Sequence, residues 1–220
     1  MNDQSNEIIY VPTQHYKDIV NQLSALENFV NYDQLSDLDP ISKMAIIHHQ
    51  FESIHPFPDG NGRIGRMINV LYLVKCGLLD TPILYLSRAI IKQKSEYYRL
   101  LQQVRVTGNW ENWLLFMIQA TAETAESTVT LIESIKSLMA EYKQTMRSQL
   151  PSVYSQEMLN NLFRHPYTRI QFVERDLSVS RPTATKRLEQ LVELRLIDKV
   201  KSGRDIYYVN RRLVDLFVVA

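Results

Sequence analysis

One short stretch, residues 55–66, reads His-Pro-Phe-Pro-Asp-Gly-Asn-Gly-Arg-Ile-Gly-Arg and concentrates groups that handle phosphate. Histidine titrates near neutral pH, so His55 can serve as a base, and the Asp59 carboxylate is a hard oxygen ligand suited to Mg²⁺. The run 60–62 lets backbone N–H groups approach a phosphate closely. Arg63 and Arg66 add permanent positive charge with planar donors that fit phosphate oxygens. The stretch therefore predicts phosphoryl-transfer chemistry.

The residues on either side of this stretch have helical spacing. Before it, apolar side chains recur at intervals close to helical spacing over residues 41–54, after an Asp39-Pro40 pair that suits a helix start. After it, a second apolar stripe continues to Val74, and Gly77 ends the helix. The glycine-rich run thus lies at a helix N-terminus, where unpaired N–H groups and the helix dipole favour the phosphates of a nucleotide.

The spacing Gly60-x-Gly62-x-x-Gly65 also matches the dinucleotide-binding fingerprint, which requires a preceding strand. Here a helix precedes the loop, and no acidic residue stands about twenty positions further on, where a ribose ligand is expected. We therefore reject a Rossmann fold. A Gly-x-x-x-x-Gly-Lys-Ser/Thr loop is also absent from the sequence.

The stretch resembles the Fic family motif, His-x-Phe-x-(Asp/Glu)-Gly-Asn-Gly-Arg-x-x-Arg, and matches it at every specified position. Other segments stand in the order and spacing of bacterial Fic proteins: Tyr10-Val11-Pro12, His49-Gln50-Phe51-Glu52, Leu84-Tyr85-Leu86-Ser87 and Glu96-Tyr97-Tyr98. The resemblance covers roughly residues 7 to 140. It implies a mostly helical enzyme that moves AMP from Mg-ATP onto a Ser, Thr or Tyr hydroxyl of a protein.

The resemblance also implies a role for each motif residue. His55 is the general base, Asp59 holds Mg²⁺, and Phe57 is a core anchor of the loop. The phosphates are cradled by Gly60, Asn61 and Gly62, and their charge is balanced by Arg63 and Arg66. Candidate adenine contacts are Gln93, where the family often has Asn, and Tyr97 and Tyr98, for which core packing is the alternative.

The front of the chain departs from the family. Many relatives have an upstream inhibitory helix whose Glu pairs with the first motif Arg, followed by a two-stranded flap. Here the sequence begins at what resembles the second flap strand, a remnant over about residues 7–12. We expect this chain to be constitutively active, restrained by another polypeptide, or impaired by an incomplete flap. A literal inhibitory-type match at residues 107–112 is interpreted as accidental, because Gly108 weakens a helix there.

The predicted fold class is mainly α, with a Fic-type helical domain over residues 1–148 and a winged helix-turn-helix domain over residues 149–220. Further helices are predicted over 16–30 and from Ser87 as a cap to about 107. Residues 110 to about 147 permit one long helix or two abutting ones. In the second domain we predict helices over 155–163, 170–175 and 180–194, then a hairpin of strands 197–200 and 206–209.

The third of these helices and the hairpin carry candidate DNA contacts. These are Arg181, Thr183, Thr185, Lys186, Arg187, Lys201 and Arg204. The alternative is a dimerisation or substrate-docking module with a solvated basic face, and a homodimer is included among the expected partners.

Composition adds few constraints. The 220 residues are 45% hydrophobic and 22% charged, as in ordinary globular proteins, and the net charge of +1 gives no global attraction to nucleic acid or membranes. The single cysteine, Cys76, predicts a buried thiol and no intramolecular disulfide. Without a signal-peptide pattern or a membrane-length apolar run, we expect a cytoplasmic protein with no membrane contact.

The predicted function is therefore protein adenylylation, with ATP and a protein as substrates. Two alternatives remain. One is a DNA-binding transcription regulator that uses the Fic core as a nucleotide sensor. The other is an enzyme that removes AMP or transfers another phosphate-containing group.

Overall fold

The computed structural model describes residues 10–219, except for the side chains at positions 33 and 219. The helices are α1 Tyr16–Asn31, α2 Pro40–Ile54, α3 Asn61–Lys75, α4 Ser87–Lys92, α5 Lys94–Thr107, α6 Glu111–Gln149, α7 Gln156–Arg164, α8 Ile170–Leu177, α9 Arg181–Glu193 and α10 Arg211–Val219. The strands are β1 Tyr167–Thr168, β2 Asp198–Ser202 and β3 Asp205–Val209. A 3₁₀ turn occupies Asp33–Leu35. The fold is mainly α with one small antiparallel sheet, as predicted.

The chain divides into two compact units, Met1–Thr128 and Val129–Ala220. The sequence places the boundary about twenty residues later, at 148/149, where Pro151 and the turn around it interrupt the helical pattern. The difference arises because the last part of α6 contributes Leu138, Tyr142 and Met146 to the core of the second unit. The Tyr142 hydroxyl donates to the Leu196 carbonyl and to Asn210 within that unit.

The first unit is built around α2, which is buried along most of its length. Asp39 caps this helix as predicted, accepting from the backbone N–H groups of Ile41 at 2.9 Å and Ser42 at 3.1 Å. Trp113 of α6 is fully buried and its indole N–H donates to the Ala45 carbonyl at 2.9 Å. The central helix is therefore fixed on several sides, and it ends at the motif.

Three details of the first unit differ from the sequence prediction. Ser87 is the first residue of α4 and is buried, and Leu86 takes the cap position. The helix expected from Ser87 to about 107 is broken at Gln93, whose φ of −120° and ψ of 38° are not helical. The flap strand expected over 7–12 lies partly outside the described residues, and residues 10–12 have no strand assignment.

Among its described residues, the second unit contains the end of α6, the helices α7 to α10 and a three-stranded antiparallel sheet in the order β1-β3-β2. Its core is formed by residues such as Leu159, Leu188 and Tyr208, all almost fully buried. The predicted hairpin is present, with Gly203 at φ 60° in the turn. Helices α7, α8 and α9 and the hairpin follow one another in the predicted order, and the structure adds β1 and α10. In the part of the chain that the structure describes, none of the helices is long and apolar enough to cross a membrane.

Candidate active site

His55 lies at the C-terminal end of α2, directly before the loop. Its backbone N–H donates to the Phe51 carbonyl at 3.0 Å, and its φ of 51° and ψ of 55° are left-handed. A non-glycine residue in this conformation costs roughly 1–2 kcal/mol, so the surrounding structure must maintain it. The His55 side chain is exposed to solvent. The predicted base is therefore accessible and lies at the end of a buried helix.

Asn61 closes the loop that follows. Asn61 is only 2% exposed. Its side-chain amide donates to the Phe57 carbonyl at 2.6 Å and accepts from the Phe57 N–H at 3.0 Å. Phe57, expected to be the core anchor, is instead 45% exposed. The buried amide of Asn61 performs the anchoring because it can satisfy both backbone groups of residue 57, which an aromatic ring cannot. The part of Asn61 that can face a phosphate is its backbone N–H.

The N-terminus of α3 follows immediately and is open to a ligand. Gly60 is the cap residue at φ 86° and provides no side-chain hydrogen bond to the first turn. A Cβ at Gly62 would lie 3.2 Å from Nη1 of Arg66, so the glycine keeps space that a side chain would fill. The first N–H groups of a helix have no partner within it and carry a positive partial charge. This geometry is compatible with an anion site at residues 60–62, which stays a prediction.

Asp59 is the carboxylate of the site and its side chain is 91% exposed. One oxygen accepts from the Gly60 N–H at 2.7 Å, and the other accepts from Nη2 of Arg63 at 3.1 Å. An exposed pair of this kind adds little to stability. Among residues 10–219, no cluster of three or more His, Cys, Asp or Glu side chains could enclose a metal ion. A single carboxylate beside an anion cradle does fit Mg²⁺, which is usually held by one or two carboxylates together with substrate phosphates and water.

A buried polar network lies beneath the first turn of α3. His48 is fully buried, hydrogen-bonded to the Tyr97 hydroxyl at 2.9 Å and to the Asn69 amide at 3.1 Å, and burial lowers the pKa of His48 to about 4. Glu52 is also buried, and burial raises its pKa against the opposing charge of Arg66. A Cβ at Gly65 would lie 3.0 Å from Oε1 of Glu52. The motif glycines therefore let α3 approach α2 closely.

The candidate adenine contacts occupy different environments. Tyr97 is only 4% exposed and its hydroxyl bonds to His48, which favours the core-packing alternative. The neighbouring Tyr98 is exposed, and Gln93 is exposed at the break between α4 and α5. Of the three, Gln93 and Tyr98 remain accessible to a nucleotide base.

Sequence reasoning missed two residues next to the motif. Arg105 of α5 and Tyr10 both contact the last turn of α2, just before His55. Tyr10 belongs to a segment that resembles the family, but the sequence does not indicate what it touches. Nothing local distinguishes Arg105, because its role depends on contacts with residues about fifty positions away.

The candidate DNA contacts lie on α9 and the hairpin of the second unit. Arg181, Thr183 and Lys186 are exposed on α9, as are Lys201 and Arg204 on the hairpin. Two further candidates, Thr185 and Arg187, are half-buried, and the Thr185 hydroxyl donates to the Arg181 carbonyl. Five of the seven side chains are thus exposed to solvent.

The fold and the site together define a helical protein with a glycine-rich loop between two packed helices. Residues 2–73 match the model of the Fic/DOC family, and residues 138–213 match that of the protein adenylyltransferase SoFic-like C-terminal domain. The chain thus carries a Fic/DOC family domain followed by a SoFic-like C-terminal domain.

Individual relatives cover only part of the chain. The protein adenylyltransferase Fic of Drosophila mojavensis is 28% identical over 109 residues, which are 50% of this chain and 20% of that protein. A probable protein adenylyltransferase of Aquifex aeolicus is 40% identical over 62 residues, 28% of this chain and 19% of that protein. The chain therefore spans about a fifth of the length of these curated relatives.

A similar solved structure is that of a Fic family protein from Desulfovibrio desulfuricans G20. Its TM-score is 0.47 at 21% identity, and the alignment covers 88% of this chain and 55% of that chain.

Proposed function

We propose that this chain is a protein adenylyltransferase that transfers AMP from Mg-ATP to a Ser, Thr or Tyr hydroxyl of a protein. The observation that carries the proposal is the arrangement of the site. An exposed imidazole at the end of α2 is joined by a short pinned loop to the open N-terminus of α3. The family models and the relatives named protein adenylyltransferase support the same reaction.

In the proposed reaction, the oxygen of the target hydroxyl attacks the α-phosphorus of ATP. The hydroxyl proton passes to the imidazole of His55, a new phosphate ester bond forms, and the bond from the α-phosphorus to the bridging oxygen breaks. Pyrophosphate leaves with the electron pair of that bond. General-base assistance of this type is typically worth about 10²–10⁴ in rate.

The other motif residues bind and orient the nucleotide. The backbone N–H groups of residues 61 and 62 would face the phosphates, while that of Gly60 is paired with Asp59. Donors aligned on developing charge are often the largest catalytic contribution, about 10²–10³ for one donor in comparable anion sites. Asp59 would hold Mg²⁺, which neutralises phosphate charge when bound. Arg66 lies close enough to Gly62 to place its charge at the same end of the helix. Arg63 would exchange its exposed pairing with Asp59 for the phosphates.

The test is transfer of label from α-labelled ATP with Mg²⁺ to the chain itself and to lysate proteins. We expect the His55→Ala variant to lose labelling by a factor of about 10² or more, because the base is removed. His15→Ala is the matched control, since His15 is also exposed and stands at the N-terminal cap of α1. Equal labelling by the parent chain and the His55→Ala variant would overturn the proposed base.

The contacts proposed for this site bind phosphate groups, which several transfer reactions have in common. The same labelling assay can distinguish these reactions. γ-labelled ATP would label the target if a phosphoryl group were moved instead of AMP. Release of labelled AMP from a protein that already carries it would indicate an enzyme that removes AMP. We expect label only from the α position, with free pyrophosphate as the second product.

A second candidate function, DNA binding, concerns the second unit. The observation in its favour is the exposure of Arg181, Lys186 and Lys201, while the nearby Glu189 is already paired with Lys199 and Tyr208. If this unit binds DNA, retention of a labelled duplex should weaken steeply with salt, and Arg181→Ala or Lys186→Ala should weaken it further. Lys136→Ala on α6 is the control. Retention that is insensitive to both substitutions would remove this candidate.

A further inference from the structure

The C-terminal end of α2 is held by two residues that come from distant parts of the chain. The Tyr10 hydroxyl donates to the Ser53 carbonyl at 2.8 Å. From α5, Arg105 donates through Nε to the Ser53 hydroxyl at 3.0 Å and through Nη2 to the Glu52 carbonyl at 3.1 Å. The Arg105 guanidinium also lies over the Tyr10 ring, 3.8 Å from its centre. We call Tyr10 and Arg105 the α2 clamp.

These contacts satisfy groups that the helix leaves open. The last four carbonyls of a helix have no partner within it, and those of Glu52 and Ser53 belong to this set. A guanidinium is a favourable partner there, because it donates in a fixed plane and its positive charge faces the negative end of the helix dipole. The ring beneath the guanidinium adds a cation–π contact. The end of α2 is therefore fixed from outside the helix.

The position of the clamp connects it with the base. Ser53 precedes His55 by two residues, and His55 is held in a left-handed backbone conformation. A shift in the last turn of α2 would pass directly to the His55 imidazole. A displacement of about 1 Å in a reacting group can cost about 10²-fold in rate.

We propose that Tyr10 and Arg105 are positioning residues that hold His55 in the geometry needed for proton transfer. This inference rests on the proposed transfer of AMP. Neither residue needs to touch the nucleotide, so their loss should reduce turnover more than ATP binding. Tyr10 is 37% exposed, and removing its hydroxyl opens no cavity in the core.

The main variant is Tyr10→Phe, which removes one hydrogen bond and keeps the ring beneath Arg105. We expect kcat for AMP transfer to fall about tenfold, with KM for ATP unchanged within about twofold, because orientation is lost and binding is not. Arg105→Gln should lower kcat further. The control is Arg99→Gln, which removes an exposed arginine of the same helix that pairs with Glu96. This control should match the parent chain.

A second measurement is independent of catalysis. In NMR spectra of the five histidines, Tyr10→Phe should shift or broaden the His55 ring signals and leave those of His15 and His165 in place. Unchanged His55 signals together with an unchanged kcat would overturn the clamp. The clamp would also be overturned if Tyr10→Phe lowered kcat, ATP affinity and the thermal midpoint together, because that result indicates a merely structural role.

Failure of the proposed AMP transfer and failure of the α2 clamp give different experimental results. A parent chain that transfers no label from ATP overturns the proposed function, while the His55 signals still decide whether the clamp positions the ring. If Arg105→Gln does not fold, Tyr10→Phe gives the answer alone. Loss of kcat in Tyr10→Phe at an unchanged thermal midpoint supports the clamp.

Discussion

The two adjacent histidines of α2 show how burial determines what a titratable residue does. The ring of His48 is stacked 6.1 Å from Trp113, and the ring of His49 lies edge-on to Trp110 at 4.8 Å. Burial lowers the pKa of both histidines to about 4. They are therefore neutral core residues near pH 7. One residue type serves packing at two positions and proposed chemistry at a third.

This burial makes the stability of the first unit depend on pH. An unfolded histidine titrates near 6.5, so between pH 6.5 and 4 the unfolded chain binds more protons than the folded one. Stability is then lost as the pH falls, by at most roughly 1.4 kcal/mol per pH unit for each histidine. The raised pKa of Glu52 acts in the opposite direction, since it favours the folded state at low pH. Because two histidines oppose one carboxyl group, the net effect of lowering the pH is a loss of stability.

We expect the free energy of unfolding to fall by about 2 kcal/mol between pH 7 and pH 5. Urea unfolding followed by tryptophan fluorescence measures this directly, because both tryptophans contact these histidines. NMR provides a control, as the signals of His48 and His49 should not titrate above pH 5. A midpoint that stays constant over this range would contradict the buried neutral state.

At the scale of elements, local signals predicted most helix ends. Asp39-Pro40 starts α2, and Gly108, at φ 68°, ends α5. The inhibitory-type match at 107–112 does not lie on one helix, because α5 ends at Thr107 and α6 begins at Glu111. This division agrees with its interpretation as accidental. The missed helix α10 had a signal in Asn210, which accepts from the Leu213 N–H at 3.1 Å. The strand β1 had none, because two residues become a strand only by pairing with β3.

The cap of α2 gives a test at this scale. Asp39→Ala removes the acceptor for two backbone N–H groups and should cost about 1 kcal/mol of stability. Asp39→Asn keeps an acceptor and should cost less. The hydrogen bond with Ser42 lowers the pKa of Asp39, so the charged cap stabilises the fold above its ordinary pKa of 3.8 and is lost as the pH falls below it. Urea midpoints of the tryptophan transition at pH 7 compare the three chains, and equal midpoints would exclude a capping role.

At the scale of the whole molecule, the candidate site was predictable only where its groups are close in the chain. The order of residues 55–66 indicated the base, the carboxylate, the glycines and the arginines before any fold was known. The roles of Tyr10 and Arg105 could not be predicted, because they come from packing between segments about fifty residues apart. Asn61 shows a third case, since its position was evident from the motif while the direction of its amide was not.

The two units have separate hydrophobic cores although α6 contributes to both. Residues 113–120 of α6 include buried members of the first unit, whereas Leu138, Tyr142 and Met146 belong to the second core. The 39-residue helix can therefore remain ordered at one end while the other end unfolds, because stability need not be uniform along a structure.

This arrangement predicts two separable unfolding transitions. Leu188→Ala truncates a fully buried side chain of the second core and should destabilise that unit by about 2–5 kcal/mol. Both tryptophans lie in the first unit, so the fluorescence transition should stay within about 0.5 kcal/mol of the parent, whereas part of the far-UV circular dichroism signal is lost earlier. Met44→Ala in the first core should do the reverse. If fluorescence and circular dichroism move together in both variants, the chain unfolds as one cooperative body and α6 transmits the loss from one core to the other.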